Sequence, residues 1–309
     1  MKPARIALGQ VAPRLGLLEE NLERHRELFA EARSARADLA VFPELGLTGY
    51  LLQDLNAEVA MRLDDPRLVG LTRETRGMSA IVGFVEESDD HRLFISAALL
   101  EDGQIRHVHR KVFLPTYGLF DERRFFAAGS IVRAVSSRLG VRLGLAVCED
   151  FWHLSVPQLL ALDGAHVLVN ISSSPGRDVA RVNEVGLGTA ASWRTLMRAY
   201  AQLTTTFVVY VNRVGVDESI TFWGGSEVVG PAGQTVFQAP LHDEGLYLVE
   251  IDLDDVRSER INLPLLRDER PELVMRQLER IIRERAGETI DSSEERDAEA
   301  PLGLTREVA

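Results

Sequence analysis

Three side chains with the chemistry of a reaction centre lie in separate, loop-like parts of the chain: Cys148, Lys111 and Glu44. Cys148 is the only cysteine in 309 residues, and Lys111 is one of two lysines beside 33 arginines. A chain that uses arginine at nearly every cationic position but keeps an amine at 111 indicates a need for a compact charge that can bind or release a proton. A thiol, a carboxylate and an amine together are the groups of an acyl-transfer site.

The segment around Cys148 predicts a nucleophile at a sharp turn. The apolar run Leu143–Val147 predicts a buried strand, and the chain must turn where this run ends. A nucleophile at such a turn is exposed at the edge of a sheet, and the backbone N–H of Glu149 is free to stabilise an oxyanion. The alternative for a single cysteine is a small buried hydrophobe, and the segment by itself leaves both interpretations open.

Two glutamates are candidate partners of the thiol. Glu44 follows a short predicted strand and a proline in otherwise apolar surroundings, which suits a general base near neutral pH. Glu122 lies in the long irregular segment Arg110–Ser130, and a loop of that length inside a compact domain is usually functional. The alternatives are a structural or helix-capping role for Glu44 and a surface salt bridge with a neighbouring arginine for Glu122.

Lys111 lies at the start of the same segment. Its ammonium could stabilise an oxyanion and lower the pKa of the Cys148 thiol, and the alternative is an ordinary exposed lysine. The serine run that ends at Ser174 follows a predicted strand and either lines a polar pocket or forms a simple loop. The histidines lack metal-ligand spacing and no phosphate-binding glycine motif occurs, so the sequence predicts neither a metal nor an organic cofactor.

Composition narrows the class of protein. The net charge of −12 disfavours binding to nucleic acid or to anionic membrane surfaces, because both need a basic face. A single cysteine excludes an intrachain disulfide, so export to an oxidising compartment is not indicated. The N-terminal segment lacks the apolar stretch of a signal peptide, and no run of about 18 apolar residues predicts a membrane span. We therefore expect a cytoplasmic protein.

The order of the predicted elements sets the fold class. Strand, helix and strand alternate at the beginning of the chain, paired strands follow, and a second set of strands and helices completes the pattern. This order predicts mixed sheets covered by helices rather than a purely parallel barrel. Residues 287–309 carry seven acidic residues and two arginines with few large apolar residues, which predicts a flexible tail or a tail that docks on a partner subunit.

Three motifs resemble those of the nitrilase, or carbon–nitrogen hydrolase, superfamily. Phe-Pro-Glu ends at Glu44, Lys-Val-Phe-Leu-Pro begins at Lys111 and Cys-Glu-Asp begins at Cys148, in the order and at the spacings of that family. The resemblance covers roughly residues 3–262. It implies an α/β fold, a four-layer αββα sandwich of two mixed β-sheets with helices outside. It also implies a hydrolase domain at 1–262. The pattern of the remaining residues predicts a helical extension at 263–286, followed by the acidic tail at 287–309.

Within the superfamily, the loop after Lys111 and the segment Cys148–Trp152 are similar to the glutaminase domain of glutamine-dependent NAD synthetases. That resemblance implies that Tyr117, Trp152 and Ser174 help to hold a glutamine-like substrate. The ATP-binding motif of the synthetase half does not occur in this sequence, so we do not expect NAD synthesis by this chain alone. Subunits of the family commonly pair through their helical layers, which implies a homodimer or a higher homo-oligomer.

The resemblance implies a thiol amidase acting on a small linear amide. Glu44 would be the general base and Cys148 the nucleophile. Lys111 and the backbone N–H of Glu149 would hold the oxyanion, and Glu122 would position Lys111 or the substrate.

Two other functions stay open. The chain could supply ammonia to a separate synthetase partner, or it could be a non-catalytic interaction protein on the same fold, although the intact Glu–Lys–Cys set argues against the latter. The substrate class is open as well, among amides, carbamoyl compounds and nitriles. Arg177 and Arg181, after the serine run, are candidates for binding an acidic substrate.

Overall fold

The computed structural model describes residues 3–176, 188–218 and 220–287. The strands are β1 Pro3–Gln10, β2 Leu39–Val41, β3 Ser79–Glu87, β4 Leu93–Glu101, β5 Gln104–Arg110, β6 Ala134–Ser136, β7 Arg142–Val147, β8 Val167–Ser172, β9 Phe207–Asn212, β10 Val214–Asp217, β11 Ile220–Trp223, β12 Glu227–Val229, β13 Thr235–Gln238 and β14 Gly245–Asp252. The helices are α1 Leu18–Ser34, α2 Asn56–Val59, α3 Pro66–Arg73, α4 Glu122–Phe125, α5 Ser155–Leu162, α6 Gly188–Thr204, α7 Asp254–Asn262, α8 Leu265–Asp268 and α9 Pro271–Arg285, with 3₁₀ helices at Gln53–Leu55 and Cys148–Trp152.

Two six-stranded sheets form the centre of the fold. The first sheet has the order β14-β1-β2-β3-β4-β5 and the second the order β13-β12-β9-β8-β7-β6. Three adjacent strands run parallel in each sheet, β1 to β3 in the first and β7 to β9 in the second. The strands outside these sets pair antiparallel with their neighbours. The predicted mixed sheets are therefore confirmed.

The alternation of side chains along β1 shows how the layers pack. Ile6 and Leu8 belong to a buried cluster that also contains Leu145 and Val169 of the second sheet. Ala7, between them, belongs to a second cluster with the apolar side chains of α1 and α3. Because successive strand residues point to opposite faces, the first sheet packs on the second with one face and on helices with the other. Helices α5 and α6 pack against the second sheet, so the predicted four-layer αββα sandwich is confirmed.

The residues that follow the parallel strands lie close together. Glu44 follows β2 of the first sheet, and Cys148 follows β7 of the second. Ser173 follows β8, and its backbone N–H donates to Oε2 of Glu44 at 2.8 Å, which joins the two sheets at this edge. Binding sites in α/β sheets form outside the carboxyl ends of the strands, so this edge is the expected place for a functional site.

The described residues divide into two compact units, one ending at Leu266 and one beginning at Arg267. Most of the predicted acidic tail, from residue 288 onward, lies outside the described residues, as do Arg177 and Arg181. The boundaries at residues 262 and 286 stay predictions. No helix in the described part of the chain has both the length and the apolar character needed to cross a bilayer.

Gly83 provides a test of how tightly the Glu44 segment is packed. A Cβ atom at residue 83 would lie 2.4 Å from the carbonyl oxygen of Pro43 and 2.8 Å from Cα of Glu44. Backbone atoms cannot move aside as a flexible side chain can, so we expect Gly83→Ala to lower the free energy of unfolding by about 1–3 kcal/mol. Chemical denaturation measures the change.

Gly70 is the matched control for this substitution. A Cβ atom there would meet nothing within 4 Å, and the residue lies in helix α3. Because alanine favours a helix over glycine by about 1 kcal/mol, Gly70→Ala should leave stability unchanged or raise it. Equal stabilities of the two variants would contradict the close packing of β3 on the Glu44 segment.

Candidate active site

The ammonium of Lys111 lies at the centre of a buried cluster. Its Nζ donates to Oε1 of Glu44 and to Oε1 of Glu122, each at 2.7 Å. The three side chains are 1%, 0% and 5% exposed. The backbone N–H of Lys111 donates to the carbonyl oxygen of Ile95 on β4, and its carbonyl oxygen accepts from Gly129. Three of the residues singled out from sequence therefore meet in one place.

Two carboxylates keep the Lys111 amine charged. Burial by itself lowers the pKa of Lys111, but the charges of Glu122 and Glu44 outweigh it and hold this pKa well above its ordinary value. Burial also raises the pKa of Glu122 to about 7, with Lys111 opposing the rise and Glu44 adding to it. Near neutral pH the cluster therefore holds one ammonium and a proton that Glu122 gains and loses easily.

Both carboxylates have further donors that fix their positions. Ser173 donates from its backbone N–H to Glu44 Oε2 at 2.8 Å and from its hydroxyl to the Glu44 carbonyl oxygen at 2.7 Å. The Tyr50 hydroxyl donates to Glu122 Oε1 at 2.6 Å. Each glutamate is thus held from outside its own segment, which restricts the position of the Lys111 ammonium between them.

Cys148 stands where β7 ends and a 3₁₀ helix begins. Its φ of +43° lies in the left-handed region, which is uncommon for any residue other than glycine and occurs often at functional sites. The side chain is 7% exposed, and the Ser172 hydroxyl donates to its Sγ at 3.1 Å. The sharp turn predicted after the apolar run Leu143–Val147 is therefore present, but the thiol is more buried than expected.

The resting thiol is neutral. Burial raises the pKa of Cys148 well above its ordinary value, and the nearby Glu44 charge adds to the rise. Lys111 and the Ser172 hydroxyl lower the pKa of the thiol, but they do not outweigh burial. Lys111 therefore acts on the pKa of the thiol in the expected direction, but the desolvation of the buried sulfur has the larger effect. Such a thiol needs a base to become a nucleophile.

The side chain of Glu149 forms a second polar group beside the cluster. The hydroxyl of Tyr117 donates to Oε1 at 3.0 Å and to Oε2 at 2.9 Å, and about half of Tyr117 is exposed to solvent. His153 Nε2 lies 3.8 Å from Oε1 of the same carboxylate. Burial raises the pKa of Glu149. The sequence indicated only the backbone N–H of Glu149, so the carboxylate is a new feature of the site.

The two remaining candidates are connected through one tryptophan. Trp152 is 42% exposed, and its ring meets that of Trp193 edge to face at 5.3 Å between centroids. Trp193 Nε1 donates to the Ser174 hydroxyl oxygen at 2.9 Å, and Trp223 Nε1 donates to the same oxygen at 3.4 Å. Ser174 is thus buried, and its hydroxyl oxygen is held by two indoles.

Comparison with known proteins shows the family of the chain. The carbon-nitrogen hydrolase family model matches residues 5–261. The chain belongs to the carbon–nitrogen hydrolase family. The resemblance drawn from the motifs at Glu44, Lys111 and Cys148 is therefore confirmed.

Curated relatives of this carbon–nitrogen hydrolase include longer enzymes. The chain is 34% identical to a glutamine-dependent NAD(+) synthetase of Thermotoga maritima over 82% of its own length and 43% of the relative's. It is 33% identical to the corresponding synthetase of Acinetobacter baylyi, over 85% of this chain and 47% of the relative. The chain thus spans less than half the length of these relatives.

Solved structures of two kinds share the fold. A glutamine-dependent NAD+ synthetase of Acinetobacter baumannii in complex with ADP superposes with a TM-score of 0.73 at 30% identity, over 82% of this chain and 47% of that one. An amidase of Nesterenkonia sp. AN1 superposes with a TM-score of 0.72 at 26% identity, over 88% of this chain and 96% of that one. That amidase structure shows covalent addition of the acetamide moiety of fluoroacetamide at the active-site cysteine.

Several side chains of the hydrolase site could not be found from sequence. Tyr50, Ser172 and Ser173 each contact Glu122, Cys148 or Glu44, yet none lies in a motif that signals such a contact. The sequence indicated the serine run as a possible pocket lining, with Ser174 as the candidate residue. Within the described ranges, no group of three or more His, Cys, Asp or Glu side chains is arranged to hold a metal ion.

Alkylation of Cys148 tests the raised pKa of its thiol. Because the chain has a single cysteine, iodoacetamide can label only this site, and Cys148→Ser is the unlabelled control. We expect the labelling rate to be low at pH 7 and to continue rising beyond pH 9.0, the ordinary pKa of the group. A rate that levels off below pH 8 would mean that the thiolate already exists in the resting protein.

The free energy of unfolding should report the raised pKa of Glu122. Because its pKa is about 7 in the folded protein and 4.5 ordinarily, the folded state holds a proton that the unfolded state has released between these values. This contribution to stability is complete below about pH 4.5 and is lost as the pH rises through 7. It amounts to about 3 kcal/mol. Glu122→Gln should remove this pH dependence, and an identical pH profile in the variant would contradict the assignment.

Proposed function

We propose that this carbon–nitrogen hydrolase is a thiol amidase that releases ammonia from a small linear amide, glutamine or another ω-amide. The observation that carries the proposal is the buried cluster of Glu44, Lys111 and Glu122, whose charges act on the only thiol of the chain. A neutral thiol, a carboxylate to take its proton and an ammonium to receive the oxyanion are what amide cleavage through an acyl-enzyme requires.

In the acylation step, Glu44 takes the proton of Cys148 and the sulfur attacks the amide carbon. The carbonyl oxygen becomes an oxyanion, which the ammonium of Lys111 and the backbone N–H of Glu149 stabilise. The carbon–nitrogen bond then breaks, Glu44 returns the proton to the leaving nitrogen, and ammonia departs from a thioester at Cys148. Glu44 is unchanged at the end of this step.

In the deacylation step, Glu44 takes a proton from water and the resulting hydroxide attacks the thioester carbon. The same donors stabilise the second oxyanion. The carbon–sulfur bond breaks, and the sulfur recovers the proton from Glu44, so that the acid is released and the thiol is regenerated. Glu122 remains bound to Lys111 and keeps its ammonium aimed at the oxyanion.

The carboxylate of Glu149 supports a substrate with a cationic amine. It is 7% exposed and lies beside Tyr117, which is half-exposed, so a substrate entering past Tyr117 would meet a negative charge. The α-amino group of glutamine is such a cation. Trp152 and Ser174 would line the remainder of the pocket. Arg177 and Arg181 keep their proposed role in binding a substrate carboxylate, but they lie outside the described residues.

A second candidate is a subunit that supplies ammonia to a separate NAD synthetase. Its support is the similarity to glutamine-dependent NAD(+) synthetases over less than half of their length. If an added synthetase strongly stimulates glutamine hydrolysis, this role is favoured; full activity of the chain alone favours a free amidase. A non-catalytic interaction protein is a third candidate, and a homodimer or higher homo-oligomer stays a prediction.

Removal of the nucleophile is the first test of the proposed reaction. Cys148→Ala should abolish ammonia release from a panel of glutamine, asparagine, other ω-amides and N-carbamoyl compounds, because no thioester can form. It should also abolish the mass increase of the acyl-enzyme in quenched reactions. Ammonia release by the variant at the rate of the wild type would contradict the mechanism.

Glu149→Gln tests the substrate class. We expect KM for glutamine to rise about tenfold or more, because the variant loses a charge-assisted contact with the substrate amine. KM for the monoamide of glutaric acid, which is glutamine without its α-amino group, should change little. An equal rise of KM for both amides would show that Glu149 does not read the amino group.

A further inference from the structure

The carboxylate of Asp150 accepts four hydrogen bonds in the interior of the protein. Its Oδ1 accepts from the backbone N–H groups of Val112 and Phe113, each at 3.0 Å. Its Oδ2 accepts from the backbone N–H of Val147 at 3.0 Å and from His109 Nε2 at 2.8 Å. The side chains of Asp150 and His109 are both fully buried.

These donors come from both sheets and flank two members of the active-site cluster. Val112 and Phe113 follow Lys111, which itself follows the edge strand β5 of the first sheet. Val147 precedes Cys148 at the end of β7 in the second sheet. One rigid carboxylate therefore fixes the backbone after Lys111 relative to the backbone before Cys148.

We propose that Asp150 is a positioning residue that sets the Lys111 ammonium against the Cys148 sulfur. The proposal rests on the amidase function proposed above. An oxyanion donor is effective only when it lies where the charge develops, and a displacement of about 1 Å can lower the rate about 100-fold. Asp150 exerts this control through the backbone and does not touch the reacting atoms.

Proton transfer by the Asp150–His109 pair is a poorer explanation. A carboxylate has about four lone-pair sites, and all four are directed at donors. His109 Nδ1 is buried without a hydrogen-bond partner among the described residues, so the pair has no visible continuation to Cys148. The arrangement is that of a fixed acceptor.

Asp150→Asn should weaken the contact with the backbone before Cys148 more than the contacts with the backbone after Lys111. In one orientation, the amide oxygen of the variant side chain accepts from Val112 and Phe113, and the NH₂ group faces His109 and the backbone N–H of Val147. His109 can change tautomer and accept a hydrogen bond, whereas the N–H of Val147 cannot accept one. The reverse orientation places two donors against the NH₂ group. The first orientation therefore dominates, so the Lys111 side is kept and the Cys148 side is lost.

The experiment compares Asp150→Asn with Glu101→Gln. Glu101 is also a buried carboxylate that accepts from a backbone N–H, that of Arg138, and from a hydroxyl, that of Ser79. Glu101 lies at one end of β4, whereas Ile95, whose carbonyl oxygen accepts from the Lys111 N–H, lies near the other end. Glu101 is therefore remote from the Lys111 backbone contact. Both variants lose a buried charge, but only one lies at the active site.

With the amide of the panel that the wild type cleaves fastest, we expect Asp150→Asn to lower kcat about 100-fold while KM changes little. The rate of Cys148 alkylation by iodoacetamide should also change. The side-chain NMR signal of Lys111 should keep its wild-type shift. Glu101→Gln should resemble the wild type in all these measurements. Wild-type kcat or unchanged alkylation in Asp150→Asn would overturn the proposal, as would an equal loss of kcat in Glu101→Gln.

A second variant keeps the proposal testable if Asp150→Asn does not fold. His109→Leu removes one donor to Asp150 and leaves the three backbone N–H groups, so kcat should stay near the wild-type value. A loss of kcat in His109→Leu as large as that predicted for Asp150→Asn would show that the Asp150–His109 pair controls the rate, and it would overturn the proposed role of the backbone contacts. If the wild type cleaves no amide, the proposed function fails, whereas the alkylation rate and the Lys111 signal still test the role of Asp150.

Discussion

The structure of the site depends on one buried ammonium held between two carboxylates. Lys111 donates to Glu44 and Glu122 at 2.7 Å, with almost no exposure to solvent. Removing an ion from water costs several kcal/mol, and removing one partner of a buried pair typically destabilises a protein by about 3–5 kcal/mol. The surrounding contacts hold this cluster in place, because the Lys111 ammonium is compensated by the two carboxylates and the carboxylates, which repel each other, are held together by the ammonium.

The two sheets supply that support in similar ways. Each has three adjacent parallel strands, and the residues that follow them approach one another across the interface. The first sheet provides both Glu44 and Lys111, and Gly83 allows β3 to approach the Glu44 backbone closely. The second sheet provides Cys148 and the serines that bind the thiol and Glu44. The relative positions of these side chains therefore depend on the contacts that join the two sheets, such as that of Ser173 with Glu44.

The sequence predicted the fold class and the members of the cluster, because strand and helix periodicity and the motif order are local signals. Leu18, Leu22, Leu28 and Phe29 recur at helical spacing in the sequence, and all four lie on the buried face of α1. The contacts of Ser173 with Glu44 and of Tyr50 with Glu122 join residues 129 and 72 positions apart, and no local pattern encodes them. The sign of the change in the pKa of Cys148 also depends on burial, which the sequence does not measure.

The protonation state of the Lys111 amine is the most direct test of the buried ammonium held between two carboxylates. The chain has only two lysines, so ¹³C labelling of the lysine side chains gives two NMR signals, and Lys111→Arg identifies one of them. We predict that the Lys111 signal stays in its charged form beyond pH 10.5, the ordinary pKa of a lysine, because the Glu44 and Glu122 charges raise the pKa of this amine. A Lys111 signal that titrates at or below that value would contradict the central claim.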